Sequence, residues 1–260
     1  RRGLPSDWFT TLKVANAAVT LRLYPESARL YLPNGLPPVA PYQGSPGFLP
    51  LGALPDTLER LQRAGARDFY EGQVARAIVA AVREAGGVLA AEHLAGCRAR
   101  TLPAVAVPWR GHTLHLANGL TAAPTFRRVA ELMEAADWSG AAPGTSWHVA
   151  FARAMQTAYA ERLAELGDAE PKAAESCTTH LTVVDADGMA VAMTTTLLSS
   201  MGSRVVLPRS GVLMNNGVMW FDPRPGTPNG MAPGKRPLTN TCPVIALGAD
   251  GRPEIAAGAS

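Results

Sequence analysis

The spacing of apolar residues divides the chain into a helical stretch and a β stretch. Between Leu54 and Gly87, Leu58 and Leu61, then Val74, Ile78 and Val82, recur at intervals of three or four. That period predicts two amphipathic helices, the first capped near Asp56 and the second stopped by Gly86-Gly87. A third helix is predicted near 125–137. A fourth runs from about Ser146 to Leu166, with Trp147, Phe151, Ala154, Ala158 and Leu166 on or beside one apolar stripe. Before these two, "TLPAVAVPWRGHTLHLA" reads as two strands joined near Trp109-Arg110-Gly111. Residues 1–50 are dense in proline and glycine, so short strands and turns are expected there.

Beyond the polar run "GDAEPKAAES", expected as an exposed loop, the period falls to two. "THLTVVD" and "MAVAMTTTL" alternate on either side of "ADG", which is a hairpin signature. "SRVVLPRSGVLMNNG" offers two further short strands, and "PRPGTPNGMAPGKRPLTNTCP" a long ordered loop. No internal repeat is present. A mainly helical part therefore meets a β-rich part at Thr178, and the fold class is α+β.

Composition narrows the function classes. The 260 residues suffice for one large domain or two small ones, and 47% hydrophobic against 17% charged suits a globular protein. Net charge is +3 with both signs mixed along the chain, and no basic stripe is interleaved with aromatics, which argues against nucleic acid as a partner. No apolar run approaches the roughly 18 residues of a membrane-spanning helix. The three cysteines are far apart and lack C-x-x-C spacing, and the five histidines form no H-E-x-x-H pattern. His112 and His115 read as strand residues on alternate faces. A metal enzyme is therefore not expected. "RRGLPSDWF" lacks a methionine and the apolar core of a signal peptide, and "RPEIAAGAS" closes no element. Both ends read as cuts within a longer protein, and localisation cannot be read from them.

The stretch "AESCTTHLTVVDADGMAVAMTTT" carries the chemistry. A threonine hydroxyl is a weak nucleophile and needs a base. Were Thr178 the first residue of a chain, its own α-amine, with an ordinary pKa near 8, would serve. Cleavage at Cys177–Thr178 is open to attack by the Thr178 hydroxyl on the preceding carbonyl. From these residues alone, an ordinary strand threonine is the favoured reading, with the catalytic N-terminus as the alternative.

The pieces "GARDFYEGQVARAI", "AGGVLAAEHLAGCRA", "AYAERLAELGD", "TTHLTVVDADGMAVAMTTTL", "SGVLMNNGVMWF", "PGTPN" and "GKRPLTNTCP" decide between them. Together and in this order they resemble the γ-glutamyltranspeptidase family of N-terminal nucleophile hydrolases. The resemblance implies a four-layer αββα sandwich and a precursor that cuts itself before Thr178. Residues 1–177 would then belong to the large subunit, with a shortened linker near 167–177, and 178–260 to the small one. It implies transfer of a γ-glutamyl group, typically from glutathione, to water or an amino-acid acceptor through an acyl-threonine ester, with no metal or organic cofactor. Thr196 falls where the family has a second threonine bonded to the nucleophile.

Substrate recognition departs from the family pattern. An asparagine two residues past the second threonine is here Leu198. A glutamine and an aspartate that bind the donor's α-amino group are here Gly217 and Trp220, with Asp222 as a candidate substitute. A serine pair for the donor's α-carboxylate is here Thr239-Asn240. The oxyanion glycines of the family would lie past Ser260 and its carboxylate-binding arginine before Arg1. Cys177 is expected to have no role beyond the cut, His180 a structural hydrogen bond, and Lys235-Arg236 an anchoring one. Asn215 and Asn216 position either the loop or the acyl group. Three readings stay open: a self-processing γ-glutamyl transferase or hydrolase, an acylase of the cephalosporin or glutaryl kind, and a non-catalytic homologue.

Overall fold

A computed structural model describes residues 1–138, 143–167 and 176–258, with the backbone alone for 167 and 176–178. The polar stretch 168–175 lies outside the described residues. The chain forms two compact units. One comprises residues 1–100 with 197–216, and the other residues 101–196 with 217–260. Both units thus draw on both sides of the Cys177–Thr178 junction.

In the first unit, β1 (Leu4–Pro5) pairs antiparallel with β2 (Phe48–Leu49), and between them lie α1 (Trp8–Leu21) and α2 (Pro25–Tyr31). These two helices correct the expectation of strands and turns for residues 1–50. The proline and glycine density is concentrated after Pro33, whereas Trp8–Leu21 holds neither residue. Asp7 caps α1 by accepting the Thr10 N–H at 2.7 Å, and Pro25 opens α2, where a missing N–H is harmless. Val14, Ala17, Ala18 and Leu21 bury one face of α1 against Leu30, Tyr31, Leu32, Leu49 and Val206.

Helices α3 (Leu54–Ala64), α4 (Asp68–Glu71), α5 (Gln73–Glu84) and α6 (Ala91–Ala95) follow. Asp56 lies in the first turn of α3 and makes no cap, and Leu58 is exposed, so that part of the predicted stripe fails. Val74, Ile78, Ala81 and Leu207 form a second core, with Leu61 and Val82 beside it. The cap that periodicity missed is Asp68. Its carboxylate takes both arms of Arg60 (2.8 and 2.9 Å) and the first N–H groups of α5, from Gln73 and Val74. Those donors, Arg60 first, hold its pKa far below the ordinary carboxylate range.

Residues 205–214 return as a narrow loop. A single antiparallel bridge, Val206 to Leu213, replaces the two strands expected there. Val206 enters the first core and Leu207 the second, as alternation along an extended segment requires. At the tip, Gly211 has φ +67, and a Cβ there would lie 2.1 Å from the Leu54 nitrogen. Only glycine fits, and Thr57 Oγ1 fixes the turn by donating to the Ser210 carbonyl at 2.8 Å.

The second unit is built on a four-stranded antiparallel sheet. Strands β3 (Val105–Trp109) and β4 (His112–Leu116) join through a tight turn at Arg110-Gly111, as predicted. Helices α7 (Ala123–Ala135) and α8 (Thr145–Glu161) come next, then a π-helical turn over Arg162–Gly167. β5 (Ser176–Val184) and β6 (Ala190–Ser199) form a two-stranded sheet, and β7 (Val244–Leu247) and β8 (Pro253–Ala257) complete the larger one in the order β3-β4-β7-β8. Val107 and Leu116 face Ala123 and Ala130 of α7, with Val105, Trp109, Leu114, Cys242 and Val244 around them. Burial raises the Cys242 thiol to about 11, so it serves as an apolar side chain. On α8 only Ala154 and Ala158 are buried, and Phe151 stays partly exposed, stacked on Trp147. The fold is α+β, with α7 packed on one face of the larger sheet and α8 packed against α7.

Candidate active site

The β5–β6 hairpin is set by its turn. Asp185 N–H bonds the Met189 carbonyl at 3.1 Å, and the Asp185 side chain accepts the N–H groups of Asp187 and Met189. Pairing 185 with 189 fixes the register. It puts His180 opposite Thr194, and the His180 Nδ1 to Thr194 Oγ1 distance is 2.9 Å. His180 Nε2 meets Thr182 Oγ1 at 3.2 Å, and Thr182 Oγ1 donates to the Ala256 carbonyl of β8. A Cβ on Gly258 would sit 2.2 Å from Nδ1, so the absence of a side chain lets β8 pass the imidazole. His180 is therefore engaged in structural hydrogen bonds. Thr178 belongs to β5 and Thr196 to β6, and the side chains of Cys177 and Thr178 lie outside the described residues.

Immediately after Thr196 the backbone turns left-handed. Leu198 (φ 74), Met201 (φ 58) and Arg204 (φ 63) occupy a region that branched and bulky residues avoid, at about 1–2 kcal/mol each. Leu198 is buried, with 7% of its surface exposed. Ser200 Oγ and Arg204 Nε are buried without a hydrogen-bond partner among the described residues. Asn216 holds this turn: Ser199 N–H donates to its Oδ1 at 3.0 Å, its Nδ2 donates to Ser199 Oγ at 2.8 Å, and its own N–H bonds the Leu197 carbonyl. Asn216 thus positions backbone. Three left-handed non-glycine residues thus lie within seven positions of chain, next to the candidate residue Thr196.

Gly217 and Trp220 open and close a short 3-10 turn. Residues 223–243 then run as the ordered loop the composition predicted, and one asparagine organises it. Asn229 Nδ2 donates to the Trp220 carbonyl at 2.6 Å, its Oδ1 accepts from Leu238 N–H at 2.9 Å, and its carbonyl accepts from Asp222 N–H at 3.0 Å. One buried side chain therefore joins the Trp220 stretch to the Thr239-Asn240 stretch. Lys235 anchors the loop as expected, Nζ donating to the Pro228 carbonyl at 2.8 Å, while Arg236 makes no hydrogen bond among the described residues.

The candidate binding residues differ in how free they are to act. Asp222 is 1% exposed, and its carboxylate is held by the Arg224 guanidinium at 3.2 Å and the Arg224 N–H at 2.9 Å. Arg224 keeps its pKa below the usual carboxylate range. It is committed to the loop, which argues against the substitute role considered for it. Thr239 Oγ1 donates to the Leu120 carbonyl at 3.0 Å and shares a hydrogen bond with Thr241 Oγ1 at 3.0 Å. Its proton is already placed. Asn240 is exposed and its amide makes no hydrogen bond among the described residues, so of the pair it is the group available to a ligand.

The structure pairs the strands of Thr178 and Thr196 and clips Trp220 to the neighbour of Thr239. A groove of ≈ 520 Å³ between α7 and α8, lined by Leu132, Val149, Arg153 and Thr157 among others, contains none of the candidate residues. Among the described residues, no group of three or more His, Cys, Asp or Glu could hold a metal ion, and no helix is long and apolar enough to cross a membrane. Sequence reading missed Asn229 and the buried Arg162. The only trace of Asn229 is its place in "PGTPN".

The sequence model of the family described as Gamma-glutamyltranspeptidase matches residues 1–177 and 169–260. The glutathione hydrolase proenzyme of Arthroderma benhamiae is 27% identical over 256 residues, covering 79% of this chain and 44% of that protein. The chain thus spans less than half the length of this relative. The acylase ACY 1 proenzyme of a Pseudomonas species is 43% identical over 81 residues, 31% of this chain and 14% of that protein. Among solved structures, the cephalosporin acylase from Bacillus halodurans superposes with a TM-score of 0.81 at 19% identity, covering 96% of this chain and 52% of that one.

Proposed function

The chain belongs to the gamma-glutamyltranspeptidase family, and from that premise we propose that the full-length protein is a self-processing γ-glutamyl transferase or hydrolase. In this reading Thr178 Oγ attacks the Cys177 carbonyl carbon, the C–N bond breaks as the acyl group moves to oxygen, and water hydrolyses the resulting ester. The products are a large subunit ending at Cys177 and a small one beginning at Thr178. The freed α-amine then takes the Thr178 hydroxyl proton, and Oγ attacks the γ-carbonyl of a glutathione-like amide. The amine leaves with a proton, and water or an amino-acid acceptor resolves the acyl ester.

The observation that carries this reading is the hairpin register. Continued without a bulge from the 185–189 and 180–194 pairs, it sets position 178 directly opposite Thr196, where a hydroxyl can hold the nucleophile. The helix-backed sheet of the second unit is consistent with half of the four-layer αββα arrangement, which belongs to the same proposal.

The acyl group is the open element. A second reading, hydrolysis of a glutaryl or cephalosporin-type amide, is favoured by one feature. Leu198, buried and apolar, stands where an amide side chain would help hold a glutamyl group. The local likeness to an acylase proenzyme supports it as well. With Gly217 and Trp220 in place of the family's amide and acid, the donor's ammonium would lack its paired partners, and that weakens its binding. Turnover of a γ-glutamyl anilide against a glutaryl anilide by the full-length protein separates the two. Faster release from the γ-glutamyl substrate supports the first reading, and the reverse order supports the second.

A further inference from the structure

Arg162 is the only buried arginine among the described residues, with 5% of its surface exposed. It begins the π-helical turn after α8, the last described segment before the Cys177–Thr178 junction. Nη1 donates to Thr125 Oγ1 at 3.1 Å, near the start of α7, and Nη2 donates to the Thr239 carbonyl at 3.3 Å. A buried guanidinium is costly to desolvate, and no carboxylate pairs with it among the described residues. Its planar fork reaches two segments that are far apart in sequence.

The segment it grips is otherwise irregular. Leu238 N–H is held by Asn229 Oδ1, Thr239 N–H and Oγ1 by the Leu120 carbonyl, and the Thr239 carbonyl by Arg162. Three partners, the Asn229 side chain, the Leu120 carbonyl and Arg162, thus hold the Leu238–Thr239 stretch. Asn240, the next residue, has the uncommitted amide. We propose that Arg162 is a positioning residue that fixes the Thr239-Asn240 segment, so that the Asn240 amide meets the carboxylate of the acyl donor in one orientation. This rests on the proposed amidohydrolase reading. After cleavage it acquires a second consequence: Arg162 would lie on the large subunit and Thr239 on the small one. The fork then becomes a non-covalent tie across the cut.

The test uses the full-length protein with a γ-glutamyl anilide and, in parallel, the glutaryl anilide. Arg162→Gln should raise KM at least tenfold with kcat within about threefold, and Arg162→Lys should recover little of the loss, because one ammonium cannot span both acceptors. Thr125→Val removes one arm's anchor and should raise KM a few-fold in a fold left intact, which keeps the test informative if Arg162→Gln fails to fold. Unchanged KM in Thr125→Val and in whichever Arg162 variant folds overturns the proposal, even if thermal stability falls. Equal loss in kcat with no change in KM also overturns it. A wild-type protein inactive on both anilides would instead count against the amidohydrolase reading itself.

Discussion

The β5–β6 hairpin and the 217–240 loop hold their residues by different means. In the hairpin, position follows from backbone register: once Asp185 pairs with Met189, every residue back to the strand start has a fixed partner. In the loop the described residues form no ladder beyond one bridge from Asp222 to Gly230, and position follows from single side chains, Asn229, Asp222 and Arg162. A ladder spreads its stability over many equivalent bonds. A clamp concentrates it in a few buried groups whose loss leaves partners unsatisfied. Under the proposed function, the nucleophile would sit on the ladder, and the loop held by single side chains would be the part open to retuning residue by residue.

Substitutions can break this contrast. The largest effect falls on the nucleophile: Thr178→Ala should abolish both processing and turnover, a loss of at least about a thousandfold in kcat, seen on a denaturing gel and in the anilide assay. Thr178→Ser should retain part of both. Next, Asn229→Ala strands the Trp220 carbonyl and the Leu238 N–H and should destabilise by about 2–4 kcal/mol. Thr194→Val in the hairpin, which removes one hydrogen bond to His180, should lose only about 0.5–1.5 kcal/mol. Urea titration of both variants measures the gap. Similar losses would remove the distinction between ladder and clamp.

Acid sharpens the comparison further. Asp222 in the loop and Asp68 at the start of α5 both have lowered pKa values in the folded state, through Arg224 and Arg60 respectively. The stability they contribute is present above the unfolded carboxylate value of about 3.9 and is lost as pH falls through the folded value. Below about pH 4 the loop should therefore loosen before the hairpin, as read by amide exchange. Asp222→Asn and Asp68→Asn should each flatten the acid limb of the stability curve. Leu198→Asn relieves a left-handed leucine and should shift turnover toward the γ-glutamyl anilide by a few-fold. The smallest change is Glu254→Gln, which removes an exposed pairing to His112 at 2.9 Å and should alter stability by less than about 0.5 kcal/mol.

Periodicity found the elements that bury a face and missed what backbone contacts decide. The β3–β4 turn, α5, α7 and the β5–β6 hairpin were legible because alternation or a three-to-four spacing runs through them. Helix α1 was hidden by averaging: proline and glycine after Pro33 coloured a window whose first part, Trp8–Leu21, contains neither. Residues 205–214 alternate as strands do, yet they are pulled into two cores and keep only one bridge. The candidate nucleophile was legible because its motif is local. Arg162 and Asn229 were not, because their partners are main-chain groups distant in sequence, and neither polarity nor spacing foretells such bonds. Thr239 shows the converse. Its residue type suggested a donor to substrate, and only the Leu120 carbonyl beside it reveals that the proton is already placed.

The central claim, that a register-held threonine cuts the chain and then acts as nucleophile, is met most directly by intact-mass and N-terminal analysis of the full-length protein after incubation. Two fragments, the smaller beginning at Thr178, are the predicted result, with Thr178→Ala remaining whole. A wild-type chain that stays whole yet releases anilide, or fragments parted at any other bond, would contradict it.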